Sequence, residues 1–282
     1  MRIAVTGKTG QVVSALRERG TAAGIEVVAI GRPELDLAEA TDAIAAFAAS
    51  KPDIIVSAAA YTVVDKAESE AELAHAINAR GAGVVAKAAA ALGVPVIHLS
   101  TDYVFDGSKA SPWLESDPVA PLGVYGASKL AGEEAVLGSG ARAVVLRVAW
   151  VFSPFGANFV KTMLRLAETR DRLGVVADQI GAPTSAHDIA DAVITIAKTL
   201  VDRRHDATLT GLFHMGAGGP DASWADFAER IFADAAARGR NKAAIVDRIP
   251  TAAYPTPAKR PARSRLDSTR LAATYGIELP DW

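Results

Sequence analysis

The sequence predicts an α/β fold, a doubly wound parallel sheet followed by a smaller α/β lobe. Three observations carry that expectation. Short β-branched runs alternate with long alanine-rich segments of helical period from Arg2 to Phe152. Each run is apolar along its whole length, which is how a strand covered on both faces reads. A glycine turn, "TGKTG", stands between the first run and the first helical segment. That is the place where a Rossmann-type sheet binds the phosphates of a dinucleotide.

Taken in order, "RIAVTG" is the first strand and "GQVVSALRERG" the first helix, with Val12, Leu16 and Arg19 at helical spacing. "EVVAIG", "PDIIVSAAA", "PVIHLST" and "RAVVLRVAWVF" follow as strands. "LAEATDAIAAFAASK", the long "ESEAELAHAINARGAGVVAKAAAALG" and the segment containing Lys129 are the helices between them. Strands joined through helices in this way make a parallel sheet. A turn-rich loop, "DYVFDGSKASPWLESDPVAPLG", precedes the Lys129 helix. After Phe152 the regularity fades. "GANFVKTMLRLAETR" is a helix, "LGVVADQIGAPTS" a strand running into a turn, and "AHDIADAVITIAKTLVD" a helix with an acidic first turn. "GLFHMG" is a further strand, and "SWADFAERIFADAAARG" a helix capped by Ser223. "IPTAAYPTPAKRPARSRLD" is expected to be an ordered but irregular loop. No repeat or low-complexity linker interrupts the chain. The expected division is a nucleotide-binding lobe, residues 1–151, and a mainly substrate-binding lobe, residues 152–282, with about 186–216 returning to the first.

Composition narrows the function. At 282 residues the chain can bury a large core. Its net charge of −2 argues against a nucleic-acid or anionic-membrane partner. It has no cysteine, which excludes disulfides, thiolate catalysis and zinc–thiolate sites and fits a reducing compartment. The N-terminus lacks the long apolar region of a signal peptide. Arg147 interrupts the most apolar run, "AVVLRVAWVF", so no membrane span is expected. The expected setting is the cytoplasm.

The glycine turn places Gly7 at a tight turn and Gly10 where a pyrophosphate approaches the backbone, with Thr9 between them. Val13 stands where a third glycine would serve close helix–strand packing. An NAD-selective site has an acidic residue ending the second strand. Here that strand ends in Gly31-Arg32, and a guanidinium suits a 2′-phosphate. The expected cofactor is therefore NADPH, with NADH as the lesser alternative. Asp36 and Leu37 follow, in position to flank the adenine.

Strands of a parallel sheet deliver reactive residues at their carboxyl ends. "PVIHLST" ends in Ser100-Thr101, and "VYGASKLAGEEA" places Tyr125 four residues before Lys129, on one helix face. Reducing a ketone takes a hydride, which a nicotinamide supplies, and a proton, which a tyrosine can supply. The resting tyrosine pKa is about 10. A cation at roughly 4 Å contributes about 4 kcal/mol toward lowering it, at an effective dielectric of about 20. Lys129 is the expected cation, and Thr101 the hydroxyl that positions the carbonyl. Glu133, one turn beyond Lys129, is the competing partner for its charge.

With these residues in order the chain resembles the extended short-chain dehydrogenases/reductases. "GKTGQV", "AAAYTVVDKAESE", "STDYVFDG", "PLGVYGASKLAGE", "RVAWVF", "NFVKTMLRLA", "DQIGAPT" and "AYPTPAKRPARSRLD" are similar to successive motifs of one family among them, the dTDP-4-dehydrorhamnose reductases. That resemblance implies NAD(P)H-dependent reduction of the C4 ketone of dTDP-4-dehydro-L-rhamnose to dTDP-L-rhamnose. It implies Tyr125 as proton donor, Lys129 as its partner and Thr101 as the carbonyl-binding hydroxyl. Gly10, Gln11 and Val12 fall at the cofactor turn, and Ala60, Tyr61 and Thr62 beside the cofactor. Asp102 matches a substrate-contacting position, and Trp150 one where an indole packs on the sugar. The chain stops at "ELPDW", where the family usually continues.

Plainer roles compete for several residues. Trp150 could be ordinary core at the end of an apolar strand. The five histidines show no metal-ligand spacing, and no protein metal site is expected. Asp65, Glu68 and Glu70 suit the dipole of the helix they precede. In "KRPARSR", Arg260 is the candidate for the diphosphate of a nucleotide sugar. The expected partners are the dTDP-sugar and, in a homodimer, a second copy of the chain. The alternative functions are another nucleotide-sugar reductase or epimerase of the same fold, and a non-catalytic NADP-binding regulatory subunit.

Overall fold

The computed structural model describes residues 1–39, 43–239 and 243–282. The first half of the chain builds β1 (Arg2–Thr6), α1 (Gln11–Ala22), β2 (Glu26–Ile30), α2 (Ala43–Ala48) and β3 (Ile54–Ser57). Then come α3 (Val64–Ala67), α4 (Ala71–His75), a π-helical turn Ala76–Gly81, α5 (Ala82–Leu92), β4 (Val96–Thr101), α6 (Val124–Leu137) and β5 (Ala143–Val148). The second half adds β6 (Val151–Phe152), α7 (Phe159–Ala167), β7 (Arg172–Val176), β8 (Ile180–Gly181), β9 (Thr184–Ser185) and α8 (Ala186–Asp202). It ends with β10 (Gly211–His214), β11 (Ala222–Ser223), α9 (Trp224–Ala237), β12 (Ile245–Ile249) and α10 (Thr269–Tyr275).

Six strands form one parallel sheet in the order β10-β5-β4-β3-β1-β2. The predicted doubly wound sheet is present. Alternate side chains of its strands serve two cores, as the pleat requires. Ile3, Val5, Ile54, Val56, Ile97, Leu99, Val144 and Leu146 meet α8 through Ile189, Val193, Ile196 and Leu200. Ala4, Ile55, Val96 and Val145 face the opposite way and meet Phe47, Val85, Ala86, Ala89 and Val136. Burial on both faces is why these strands read as unbroken apolar runs. The chain leaves β1 for β2 on one side and then for β3 on the other, so the crevice for a ligand opens above the β1 and β3 carboxyl ends.

A third core, with Met163, Leu173, Val175, Phe227, Ile231 and Phe232, joins α7, β7 and α9. Beside it β12 pairs in parallel with β7. Among the described residues no helix is long and apolar enough to cross a membrane.

Several local expectations change. The long helix expected over residues 68–93 is interrupted by the π turn at Ala76–Gly81. Gly81 there packs so tightly on Leu37 that an added Cβ would lie 2.8 Å from the Leu37 carbonyl oxygen. The helix expected over 37–51 is regular only from Ala43 to Ala48; residues 37–39 form a turn, and residues 40–42 lie outside the described residues. The expected strand 142–152 stops at Val148, because Trp150 takes a left-handed backbone with φ of 50°. The tail expected to be a loop starts at the end of a strand, β12. It is then held by main-chain bonds, with Trp113 N donating to Arg265 O at 2.8 Å and Ser264 N to Ile180 O at 2.7 Å.

Candidate active site

One cleft of about 1190 Å³ runs along the carboxyl ends of the sheet and reaches Phe159 of α7 and Trp224 and Phe227 of α9. Its floor is the glycine turn. Gly7 has φ of 93°, a conformation that favours glycine, and its N–H donates to Ile30 O at 2.7 Å. Thr6 Oγ1 accepts from both Ala58 N and Ala59 N at 2.9 Å, tying β1 to the wall beyond β3. Helix α1 begins after Gly10 with no side-chain cap, so its first N–H groups remain available to an anion. A Cβ on Gly10 would meet no protein atom outside its immediate neighbours closer than Val13 Cγ2, at 3.9 Å. The fold itself therefore tolerates a side chain at Gly10, and the glycine serves whatever approaches from the cleft. Val13, in place of a third glycine, is buried in the core between α1 and the sheet. These features fit a bound dinucleotide.

Thr9, Gln11 and Val12 line the same end. Gln11 also reaches across to the segment between β6 and α7, accepting from Ser153 Oγ at 2.8 Å and Asn158 Nδ2 at 3.1 Å. Arg32 is exposed on the rim, and Lys8 Nζ binds its carbonyl at 2.8 Å and the Glu34 carboxylate at 2.6 Å. Asp36 shapes the adjoining turn by accepting from Ala38 N at 2.9 Å, while Leu37 is largely core. Ala60, Tyr61 and Thr62 form the facing wall.

Thr101 ends β4 and accepts from Tyr103 N at 3.2 Å. Tyr125, in the first turn of α6, stands near enough to the Thr101 hydroxyl for that hydroxyl to act on its pKa, and both line the cleft. The structure brings these two together as the motif spacing implied. It does not bear out the downward tuning of Tyr125. Burial pushes the Tyr125 hydroxyl up to about 12, against the opposing influence of the Thr101 hydroxyl, and the Asp102 charge adds to the rise. Lys129 has turned inward instead, with Nζ donating to Leu99 O at 2.6 Å and standing 3.2 Å from His98 Nε2. Burial pulls Lys129 down to about 8, and Glu133 works in the other direction.

Glu133 does not hold Lys129. Arg147 takes it in a two-pronged bond, Nε at 2.9 Å and Nη2 at 2.7 Å, and Ser100 Oγ donates to it at 2.5 Å. Asp102 is 3% exposed beside Thr101, which donates to its Oδ1 at 3.1 Å. Burial pushes the Asp102 carboxyl up to about 6 despite the lowering influence of the Ser264 and Thr101 hydroxyls. Its Oδ2 has no hydrogen-bond partner of normal geometry.

Asn78 and Ser128, which the sequence did not single out, and Glu68, expected to serve another helix, hold this arrangement. Asn78, in the π turn, accepts from Tyr61 N at 2.7 Å and donates to Tyr61 O and to Ser128 Oγ, both at 3.0 Å. Ser128 in turn donates to Tyr125 O at 2.8 Å. Helix α6 has no cap of its own, and Glu68 supplies one by accepting from Val124 N at 2.9 Å. Glu68 thus serves a helix other than the one it precedes in sequence. A π-helical insertion within a long helix often marks a functional site. The sequence carries no signal for it.

Trp150 reaches the cleft wall in company, and Arg260 departs from expectation. The stacking partner of the Trp150 indole is Trp224, at 3.7 Å and 10° between planes, and both line the cleft. Arg260 pairs with Asp65 at 2.8 Å and donates to the Ala258 carbonyl at 3.2 Å, anchoring the tail; it does not line the cleft.

The family model described as the RmlD substrate binding domain matches residues 1–282. A dTDP-4-dehydrorhamnose reductase of Sinorhizobium fredii is 51% identical over 282 residues, covering 100% of this chain and 94% of the relative. One of Burkholderia thailandensis is 44% identical over 286 residues, covering 100% and 95%. Among solved structures, a dTDP-4-dehydrorhamnose reductase of Bacillus anthracis in complex with NADP superposes with a TM-score of 0.89 at 34% identity, covering 100% of this chain and 95% of the other.

Proposed function

This chain belongs to the RmlD substrate-binding-domain family, the family of the dTDP-4-dehydrorhamnose reductases, and from that premise we propose how its cleft works. The reaction is the NADPH-dependent reduction of the C4 ketone of dTDP-4-dehydro-L-rhamnose to dTDP-L-rhamnose. NADPH, when bound, supplies the hydride. Residues 1–151 hold the cofactor, with Gly7, Thr9, Gly10, Gln11 and Val12 around the phosphates and Arg32 toward the 2′-phosphate. Asp36, Leu37, Ala60, Tyr61 and Thr62 line the remaining cofactor wall. Residues 152–282 mainly close over the nucleotide sugar.

At the reacting end, the Thr101 hydroxyl turns its one hydrogen from Asp102 to the ketone oxygen, and Tyr125 delivers the proton to that oxygen. A tyrosine pushed up to about 12 stays protonated at neutral pH, the form a donor needs. The alkoxide forming at C4 is a stronger base still, so the transfer runs downhill. Asp102 presents its unpartnered oxygen to a sugar hydroxyl. Lys129 supplies positive charge behind Tyr125. Trp150, backed by Trp224, offers its indole edge to the sugar. Arg260 acts on the substrate only indirectly, through the anchored tail.

The observation that carries this assignment is the convergence of Thr101, at the carboxyl end of β4, and Tyr125, in the first turn of α6, on the wall of one cleft. Replacing Tyr125 by Phe keeps the ring and removes the proton. With dTDP-4-dehydro-L-rhamnose, loss of the reduced-nicotinamide absorbance should slow by about 10²–10⁴-fold while NADPH affinity holds. Full turnover by Tyr125→Phe would overturn the mechanism. Good NADPH binding with no turnover by the native chain would favour a regulatory subunit.

A further inference from the structure

Lys129 reaches the inner layer of the fold, and β4 receives it there. Strand residues two apart are about 6.6 Å apart, and helix residues four apart about 6 Å. The polar pair His98 and Ser100 on β4 therefore matches the pair Lys129 and Glu133 on α6. Ser100 bonds Glu133 at 2.5 Å, and His98 Nε2 stands 3.2 Å from Lys129 Nζ.

An ammonium carries three hydrogens and no lone pair. His98 Nε2 must then accept, and the ring proton must sit on Nδ1. The structure gives Nδ1 a partner, Ser57 Oγ at 3.0 Å on the neighbouring strand β3. We propose that His98 is a positioning residue for Lys129: a neutral imidazole, protonated at Nδ1 and held by Ser57, that accepts from the ammonium and fixes its place and charge. The inference rests on the role given above to Lys129.

The surroundings require such a group. Lys129 is 2% exposed, His98 1% and Ser57 1%. A buried ammonium is costly unless its hydrogens are bonded. Leu99 O takes one and His98 another, which leaves the third for the cleft side. Burial first, and the Lys129 charge second, hold His98 well below its usual pKa, so it stays neutral at physiological pH. The other groups facing Lys129 cannot replace it. On α6, Glu133 is committed to Arg147 of β5, and Tyr125 is uncharged; Asp102, beyond β4, lies past Thr101.

The first test uses the intact chain with ¹⁵N-labelled histidine. Nitrogen chemical shifts at neutral pH should report His98 protonated at Nδ1 and bare at Nε2; the reverse tautomer overturns the inference, and no variant has to fold. The second test is kinetic. Activity that needs the Lys129 charge falls as pH rises through the Lys129 pKa. Removing one hydrogen bond to a buried charge in His98→Leu should move that alkaline limb of kcat/KM down by about one pH unit. His98→Gln, whose amide oxygen can stand where Nε2 stood, should bring the limb back. An alkaline limb in His98→Leu that coincides with the native one would refute the inference. Lys129→Met separates the two layers: full kcat there removes the role of Lys129 itself, whereas the His98 tautomer reports on the contact alone.

Discussion

Asp102 is a carboxylate buried at 3% exposure, with one oxygen lacking a hydrogen-bond partner. Its folded pKa of about 6 lies above the unfolded value of 3.8. The folded chain thus binds this proton more tightly, and the stability linked to it is lost as pH rises from about 4 to about 6. A carboxyl pKa raised this far corresponds to roughly 3 kcal/mol at most. Asp102→Asn should therefore melt higher than the native chain at pH 7.5 and alike at pH 4, while its KM for the nucleotide sugar rises. Equal melting temperatures at pH 7.5 would contradict the account. On the rim, Arg32→Ala should cut kcat/KM for NADPH by about tenfold or more and leave NADH nearly unchanged, since a guanidinium bond to a phosphate is a charged pair. Equal use of both cofactors by the native chain would remove Arg32 from selection. Thr101, Tyr125 and Lys129 were legible because strand end, helix start and four-residue spacing are local. The direction in which the Tyr125 pKa moves was not, because it depends on how deeply the hydroxyl is enclosed and where Nζ turns.

Helix α6 is an element shaped by its neighbours more than by its own propensity. Two of its glycines sit against backbone: a Cβ on Gly126 would lie 2.2 Å from Tyr103 O, and one on Gly132 2.1 Å from Asn78 O. These contacts let the helix press against the loop after β4 and against the π turn, so that Asn78 reaches Ser128 and Glu68 reaches Val124. Alanine in place of an exposed helical glycine stabilises by about 1 kcal/mol. Gly132→Ala should do the opposite and destabilise by about 1–3 kcal/mol, because neither backbone can give way. Urea unfolding measures the sign, and a stabilised variant would show that the approach is not tight. Turnover should fall in parallel, since Tyr125 rides on this helix. The sequence shows a helix here with little amphipathic contrast. Only the packed structure explains it, with Gly126, Ser128, Lys129, Gly132, Glu133 and Val136 all buried.

Across the whole molecule, one buried polar network ties the sheet to α6. Glu133 of α6 binds Arg147 of β5 and Ser100 of β4, and Arg147 stands 3.4 Å from His214 of β10. Both members of the ion pair have side chains 3% exposed. Removing one should leave the other charge buried and cost about 3–5 kcal/mol, while Glu133→Leu with Arg147→Met should recover most of that loss. Denaturant midpoints of the two singles and the double decide it; additive losses would show that the charges do not act as a pair. The segment between β6 and α7 is tied to α1 by Gln11, and the tail that runs from β12 passes Ser264 beside Asp102.

By itself the sequence determined the parallel sheet, the glycine turn at its switch point and the Thr101, Tyr125, Lys129 series. Each is written in a short window, by period, turn chemistry or spacing. Tertiary structure alone decided that Glu133 goes to Arg147 and Lys129 to His98, that Glu68 caps α6, and that Arg260 anchors the tail through Asp65. Those partners lie from 14 to 195 positions apart. A buried polar group bonds whichever partner the packing brings within about 3 Å, and no local pattern records that choice.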